Sequence, residues 1–91
     1  MARKERVTRV IDGDTFETSS RKRPVRLANA NAPEKGERGG AAATQALRNM
    51  IGGKEVSIET VARDQYGRAV ANVKIGRNSV NKAVRERSRK R

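Results

Sequence analysis

The chain contains no cysteine, no histidine and no tryptophan, and its aromatic residues are Phe16 and Tyr66 alone. Without cysteine there is neither a disulfide framework nor a thiolate metal site. Without histidine the commonest general base and the commonest zinc ligand are lost together. Any catalysis must therefore run on carboxylates, arginines and a hard, oxygen-seeking cation. Two rings are too few for the stacking platforms of single-strand binders or for the aromatic cage of a methyl-cation reader, which disfavours a methyl-arginine-reading interaction domain. No apolar run is long enough to span a bilayer and no amphipathic segment carries large apolar residues, so a membrane partner is not expected. The N-terminus, Met1 to Arg6, is charged with no apolar segment behind it. No secretory signal is visible, and the expected location is cytoplasmic.

What the chain has in excess is positive charge. Lys and Arg number 22 against 10 Asp and Glu, a net charge of +12. Such an imbalance points to a polyanionic partner, nucleic acid before any other. With so few rings to stack bases, attraction to phosphate must carry the affinity, and binding should weaken steeply with salt. A length of 91 residues, 34% of them hydrophobic, allows one small domain with a lean core.

Short β patterns alternate with turn signals. Val7 to Ile11 is a β-branched run, and Asp12-Gly13 marks a hairpin turn into Thr15 to Thr18. Pro24 to Ala28 reads as a third strand and Asn29 to Gly40 as a loop. Ala41 to Ile51 is the clearest helix, with Ala43, Ala46, Leu47, Met50 and Ile51 on one face and Gly52-Gly53 as the stop. Lys54 to Val61 alternates strictly and Ala69 to Ile75 is a fifth strand, with a turn over residues 62–67. Ser79 is a plausible N-cap for a second helix carrying Val80, Ala83 and Val84. The expected domain is residues 6–84, followed by a flexible basic tail over 85–91. Five short strands with a helix between the third and fourth fit a Greek-key β-barrel of the OB-fold type, with one inserted helix and a short C-terminal helix.

Three segments could carry chemistry: Asp12-Gly13-Asp14-Thr15, Arg26 through Asn31-Ala32-Pro33-Glu34, and Asp64-Gln65-Tyr66-Gly67-Arg68. Each alone reads equally as an ordinary turn or loop. Paired carboxylates two residues apart also concentrate charge for a hard cation, and an acidic knot in so basic a chain is unfavourable beside phosphate unless neutralised. In their order and spacing the three segments resemble the staphylococcal nuclease (thermonuclease) family, and Val80-Asn81-Lys82-Ala83 resembles the family's Val-Asn-Glu-Ala segment. The resemblance covers roughly residues 7 to 85.

That resemblance implies an OB barrel and calcium-dependent cleavage of DNA or RNA with little sequence specificity. By it, Asp14 with Asp12, Asn31 and Ala32 belongs to the calcium site, Arg26 and Arg68 clamp the scissile phosphate, and Glu34 orients or deprotonates water. Tyr66 would donate to a neighbouring phosphate. Apart from the resemblance, the charge of the tail itself points to further phosphate contacts from Arg85, Arg87, Arg89, Lys90 and Arg91. Asn31 stands where the family has a second calcium-ligating aspartate, which predicts weaker metal binding. Against the family the chain is C-terminally shortened, stopping within the second helix. Marginal stability as a monomer is expected, relieved by self-association or a bound polyanion. The alternative is a catalytically weak or inactive nucleic-acid-binding module on the same barrel.

Overall fold

The computed structural model describes residues 3–34 and 36–89. Its elements run β1 (Arg3–Asp12), β2 (Thr15–Thr18), β3 (Val25–Leu27), α1 (Gly40–Ile51), β4 (Glu55–Arg63), β5 (Ala69–Ile75), β6 (Asn78–Ser79) and α2 (Val80–Arg89). Strands β1 to β5 close into a barrel: β1 pairs with β2 and β4, β2 with β3, β4 with β5, and β3 returns to β5. All these pairings are antiparallel except β3–β5, which is parallel. The expected five-stranded OB barrel with two helices is the fold observed, with the two-residue β6 added at the edge of β5.

Strand β1 serves two sides of the barrel. Its first half, Arg3–Arg6, pairs with β4, and its second half, from Val7 to Asp12, pairs with β2 across two register shifts. Such bulges bend and coil a strand, which closing so small a barrel requires. The inward positions are Val7, Val10, Phe16, Val25, Leu27, Val56, Ile58, Ala71 and Val73. Helix α1 covers one end with Leu47 and Ile51, and α2 seals another side with Val80 and Val84. Helix α1 ends at Gly52, whose N–H reaches the carbonyl of Arg48 at 2.8 Å. The Ser79 hydroxyl accepts from the Lys82 N–H at 3.1 Å, the N-cap bond expected of it.

The elements depart by more than one residue from the sequence reading at three ends. Strand β1 starts at Arg3, because Glu5 turns inward between exposed Arg3, Lys4 and Arg6. Strand β4 runs on to Arg63, so the following turn is confined to residues 64–67. Helix α2 continues through Arg89, into the stretch expected as a flexible tail. Arginine and glutamate are good helix formers, and Arg87 ties that part of α2 to α1 through a bond from its Nη2 to the carbonyl of Ala42 at 3.4 Å. Among the described residues no helix is long and apolar enough to cross a membrane.

Two buried polar clusters hold the frame. Asn81 accepts from the Val73 N–H at 2.7 Å and donates to the carbonyls of Ala28 and Ala71, both at 2.9 Å. Helix α2 is thereby bolted to both strands of the parallel seam. The Glu5 carboxylate, 7% exposed, accepts from Thr18 and Ser20, both at 2.8 Å, and from Arg21 in a bidentate grip at 2.8 to 3.0 Å. Burial raises the Glu5 pKa, but the hydrogen bonds from Arg21, Thr18 and Ser20 and the Arg21 charge outweigh it and leave the group at about 2.

Replacing Asn81 by alanine strands the buried Val73 N–H and Ala28 carbonyl and removes one of the two bonds to the Ala71 carbonyl, at a cost of about 3 kcal/mol. The expected fall in melting temperature is about 15 °C by calorimetry, whereas a loss below about 3 °C would show that water replaces the amide. For Glu5, a folded pKa below the ordinary 4.5 means its stabilisation is present above pH 4.5 and is lost as pH falls towards 2. Denaturant titrations of Glu5→Gln should show a protein less stable at pH 7 by about 3 kcal/mol, with the gap to the unaltered chain closing across that acid window. A gap constant with pH would place the stabilisation elsewhere.

Candidate active site

The site begins with a close approach. The β1–β2 turn lies so tightly on its neighbours that a Cβ at Gly13 would fall 2.7 Å from the methyl groups of both Ala32 and Ala43. Glycine at this position lets the flanking Asp12 and Asp14 settle against the loop that leaves β3. There the Ala32 N–H donates to Asp14 Oδ2 at 3.2 Å, and the Thr15 hydroxyl donates to Asp14 Oδ1 at 2.9 Å. Asn29 adopts φ 54°, a left-handed conformation that asparagine tolerates better than most residues, just before the chain reaches Asn31 and Ala32.

The two arginines arrive by the parallel seam, whose register sets Val25 against Ala69 and Arg26 against Val70. Arg68 therefore ends up one position beyond a residue that faces β3. Arg26 donates through Nη2 to the Asn31 side-chain oxygen at 2.8 Å and through Nη1 to its neighbour's carbonyl, Leu27, at 3.2 Å; its Nη2 also lies 3.5 Å from Asp14 Oδ2. Arg68 is held differently. Asp64 Oδ2 accepts from its Nε at 2.6 Å, and Asp64 Oδ1 accepts from the backbone N–H groups of Tyr66 and Arg68 at 3.0 and 2.9 Å. Slight burial raises the Asp64 pKa, but these bonds prevail and it lies below the usual aspartate value. The Arg68 guanidinium also sits 5.3 Å from the centre of the exposed Tyr66 ring. Its two Nη groups donate to no described residue, so the fork remains open.

These side chains share one cleft of about 280 Å³, lined by Asp12, Asp14, Thr15, Arg26, Asn31, Ala32, Glu34, Glu37 and Arg68. All seven residues expected to form the metal and catalytic set are thus brought together. Two members were not foreseen. Thr15 fixes the Asp14 carboxylate. Glu37 turns back onto Glu34, its Oε1 accepting from the Glu34 N–H at 2.8 Å while its own N–H donates to the Glu34 carbonyl at 2.9 Å. Gly36, at φ 101°, was the available signal that the loop reverses there.

Of the remaining expected residues, Tyr66, Arg85 and Arg87 lie apart from the cleft lining. Tyr66 is 70% exposed beside Arg68. Arg85 and Arg87 are exposed on α2, which also includes Arg89, and Lys90 and Arg91 lie outside the described residues.

The donor set for a cation is all oxygen: a carboxylate at Asp14, an amide at Asn31, a hydroxyl at Thr15. That chemistry fits a hard divalent ion such as calcium. The charge is low, however, since among the described residues no three acidic side chains gather closely enough to ligate one metal ion. The Asn31 oxygen is also shared with the Arg26 guanidinium.

An OB-type barrel whose cleft sets two arginines among carboxylates defines a class, and comparison with known proteins places the chain within it. The model of the staphylococcal nuclease homologues matches residues 24–87, a span that takes in Arg26, Asn31, Glu34 and Arg68 but not Asp12 or Asp14. A protein of Escherichia coli O157:H7 named an uncharacterized endonuclease is 40% identical over 70 residues, 75% of this chain and 46% of its own length. Protein ParB of Escherichia coli is 41% identical over 69 residues, 74% of this chain and 39% of that one. A micrococcal nuclease of Shigella flexneri is 36% identical over 69 residues, 74% of this chain and 40% of that one. The chain thus spans less than half the length of these relatives. It belongs to the staphylococcal nuclease homologue family.

Proposed function

We propose that this chain is a nuclease domain that hydrolyses phosphodiester bonds of DNA or RNA with little sequence specificity, assisted by calcium. The observation that carries this reading is the convergence of Arg26, Arg68, Glu34, Asp14 and Asn31 on one polar cleft in a member of this family. Phosphodiester hydrolysis gathers negative charge on the non-bridging oxygens as water attacks phosphorus. Arg68, steadied by Asp64 through Nε alone, presents a planar fork that suits two such oxygens. Arg26 lies beside the carboxylate and amide that the ion would use, and its charge adds to the same stabilisation. Glu34 takes the proton from the attacking water, the role left to a carboxylate in a chain without histidine. Asp14 and Asn31, with Thr15 beside them, would hold a calcium ion, which would supply further positive charge to offset the charge developing on the phosphate.

One observation favours the second reading, a nucleic-acid-binding module without turnover. The Asn31 oxygen accepts from Arg26 at 2.8 Å, so guanidinium and metal draw on one acceptor in a site of reduced charge. Activity separates the two readings. Purified protein with calcium should degrade plasmid or denatured DNA and stop on chelation. Glu34→Gln should slow it by about 10²–10⁴-fold and Arg68→Ala by about 10²–10³-fold. Degradation undiminished in Glu34→Gln would count against the nuclease reading.

The metal assignment has its own check. Asn31→Asp restores a formal charge, and calorimetric titration should show calcium binding at least about tenfold tighter than in the unaltered chain, equivalent to ~1.4 kcal/mol. Unchanged affinity would remove residue 31 from the metal site.

A further inference from the structure

The cleft is a poor magnet for a polyanion. Among the described residues its lining sets four carboxylates, Asp12, Asp14, Glu34 and Glu37, against two guanidiniums, a formal excess of two negative charges. Yet the chain carries +12 overall. Of the 22 Lys and Arg, two line the cleft among the described residues, so cations elsewhere carry most of the chain's attraction for a polyanion.

Beside the cleft lies a second depression of about 320 Å³, lined among the described residues by Arg21, Lys22, Arg23, Arg63 and Ala69, with no carboxylate among them. It opens one residue from the proposed catalytic arginine, since Ala69 directly follows Arg68. Two of its cations meet at Gly67 on the other side of Arg68. Arg63 Nη1 donates to the Gly67 carbonyl at 3.2 Å. The Arg23 guanidinium lies so close to Gly67 that any Cβ there would collide with it. The loop that presents Lys22 and Arg23 is held in place by the Glu5 grip on Arg21, Thr18 and Ser20. Glu5 thus commits its charge to Arg21. Lys22, Arg23 and Arg63 are exposed and, among the described residues, form no ion pair.

We propose that this groove is a binding track for the phosphodiester backbone, holding the phosphates that flank the scissile one on the Gly67 side. The proposal rests on the nucleic-acid reading above and deepens it: the cleft does the chemistry, while the groove supplies the affinity. Cations carried on a pinned loop suit a strand better than a diffuse counter-charge, because the backbone that presents them needs little further ordering when phosphates enter.

The test is fluorescence anisotropy with a labelled single-stranded oligonucleotide, in chelator so that no cleavage occurs, from about 50 to 200 mM salt. Removing three phosphate contacts with Lys22→Gln, Arg23→Gln and Arg63→Gln together should make the slope of log affinity against log salt shallower by about 2. It should also weaken binding at least about tenfold at the low-salt end. The double variant Lys22→Gln/Arg23→Gln leaves the Arg63–Gly67 bond intact and should produce about two-thirds of the slope change. Its melting temperature checks that the fold persists. A control triple in the exposed cations of β5, the β5–β6 turn and α2, Lys74→Gln, Arg77→Gln and Lys82→Gln, removes the same charge and should change the slope by less than half as much. Equal losses in the two triples would overturn the groove, as would a retained slope in the groove variant. Binding to equimolar phosphatidylserine–phosphatidylcholine vesicles as tight as to the oligonucleotide would overturn the strand as its occupant. If the unaltered protein binds no oligonucleotide at all, the nucleic-acid reading itself falls and takes the groove with it.

Discussion

The parallel pairing of β3 with β5 is the joint on which the rest depends. It is three residues long on each side, Val25–Leu27 against Ala69–Ala71, and it is the closure that turns the open sheet into a barrel. It also sets Arg26 and Arg68, far apart in the chain, at the same end of adjacent strands. So short a ladder is weak by itself, and its neighbours compensate. Small residues at Ala28, Ala30, Ala69 and Ala71 are buried at or beside it. The Ala28 N–H extends it by one bond to the Ala71 carbonyl at 2.8 Å. Asn81 then reaches from α2 to both strands. A buried amide with all its bonds made fixes a single arrangement, because any slip would leave polar groups stranded in the core.

The positions of the acidic residues follow a related logic. In a chain with ten of them, Asp12, Asp14, Glu34 and Glu37 line the cleft. Glu5 and Asp64 each hold one arginine in a defined pose. Glu17 lies 3.9 Å from Arg9 on the surface, a pair worth little. Negative charge is therefore spent on shaping the functional face rather than on balancing the excess of cations across the molecule. Carboxylates that accept several hydrogen bonds in this way organise guanidiniums more effectively than loose surface pairs do.

Much of this was legible in the sequence. Alternation at Glu55 to Val61 and Ala69 to Val73 announced the strands, Gly52-Gly53 marked the end of α1, and Ser79 capped α2 as read. The three short motifs were individually ambiguous, and only their order located the cleft. What escaped reading depended on tertiary partners. Glu5 looks like one more charged residue near the N-terminus. Its inward turn, which adds four residues to β1, makes sense only once Thr18, Ser20 and Arg21 have closed around it. Helix α2 was expected to fray after Val84 because nothing beyond it is apolar, but helix propensity and the Arg87 bond to α1 carry it further. Glu37 was passed over because only the reversal at Gly36 brings it back into the cleft. That Arg26 bonds Asn31, whereas Arg68 leaves its fork open, is likewise a matter of side-chain geometry that spacing does not encode.

The difference between the two arginines bears on how such a site works. Arg26 is tied on both Nη groups to groups of its own site, whereas Arg68 is tied through Nε alone. On the proposed reading they are not interchangeable halves of a clamp. Arg68 is preorganised for an arriving phosphate and needs no bond broken to accept one. Arg26 instead offsets the charge of Asp14 before any ligand arrives, so the cleft is not left with four uncompensated carboxylates. A phosphate or a cation entering beside Asn31 must share or displace that guanidinium. The Asn31 oxygen is one of the groups that set the free energy of doing so, and a carboxylate at position 31 would hold the guanidinium and attract the cation more strongly at once. Asparagine there keeps both interactions weak enough to exchange.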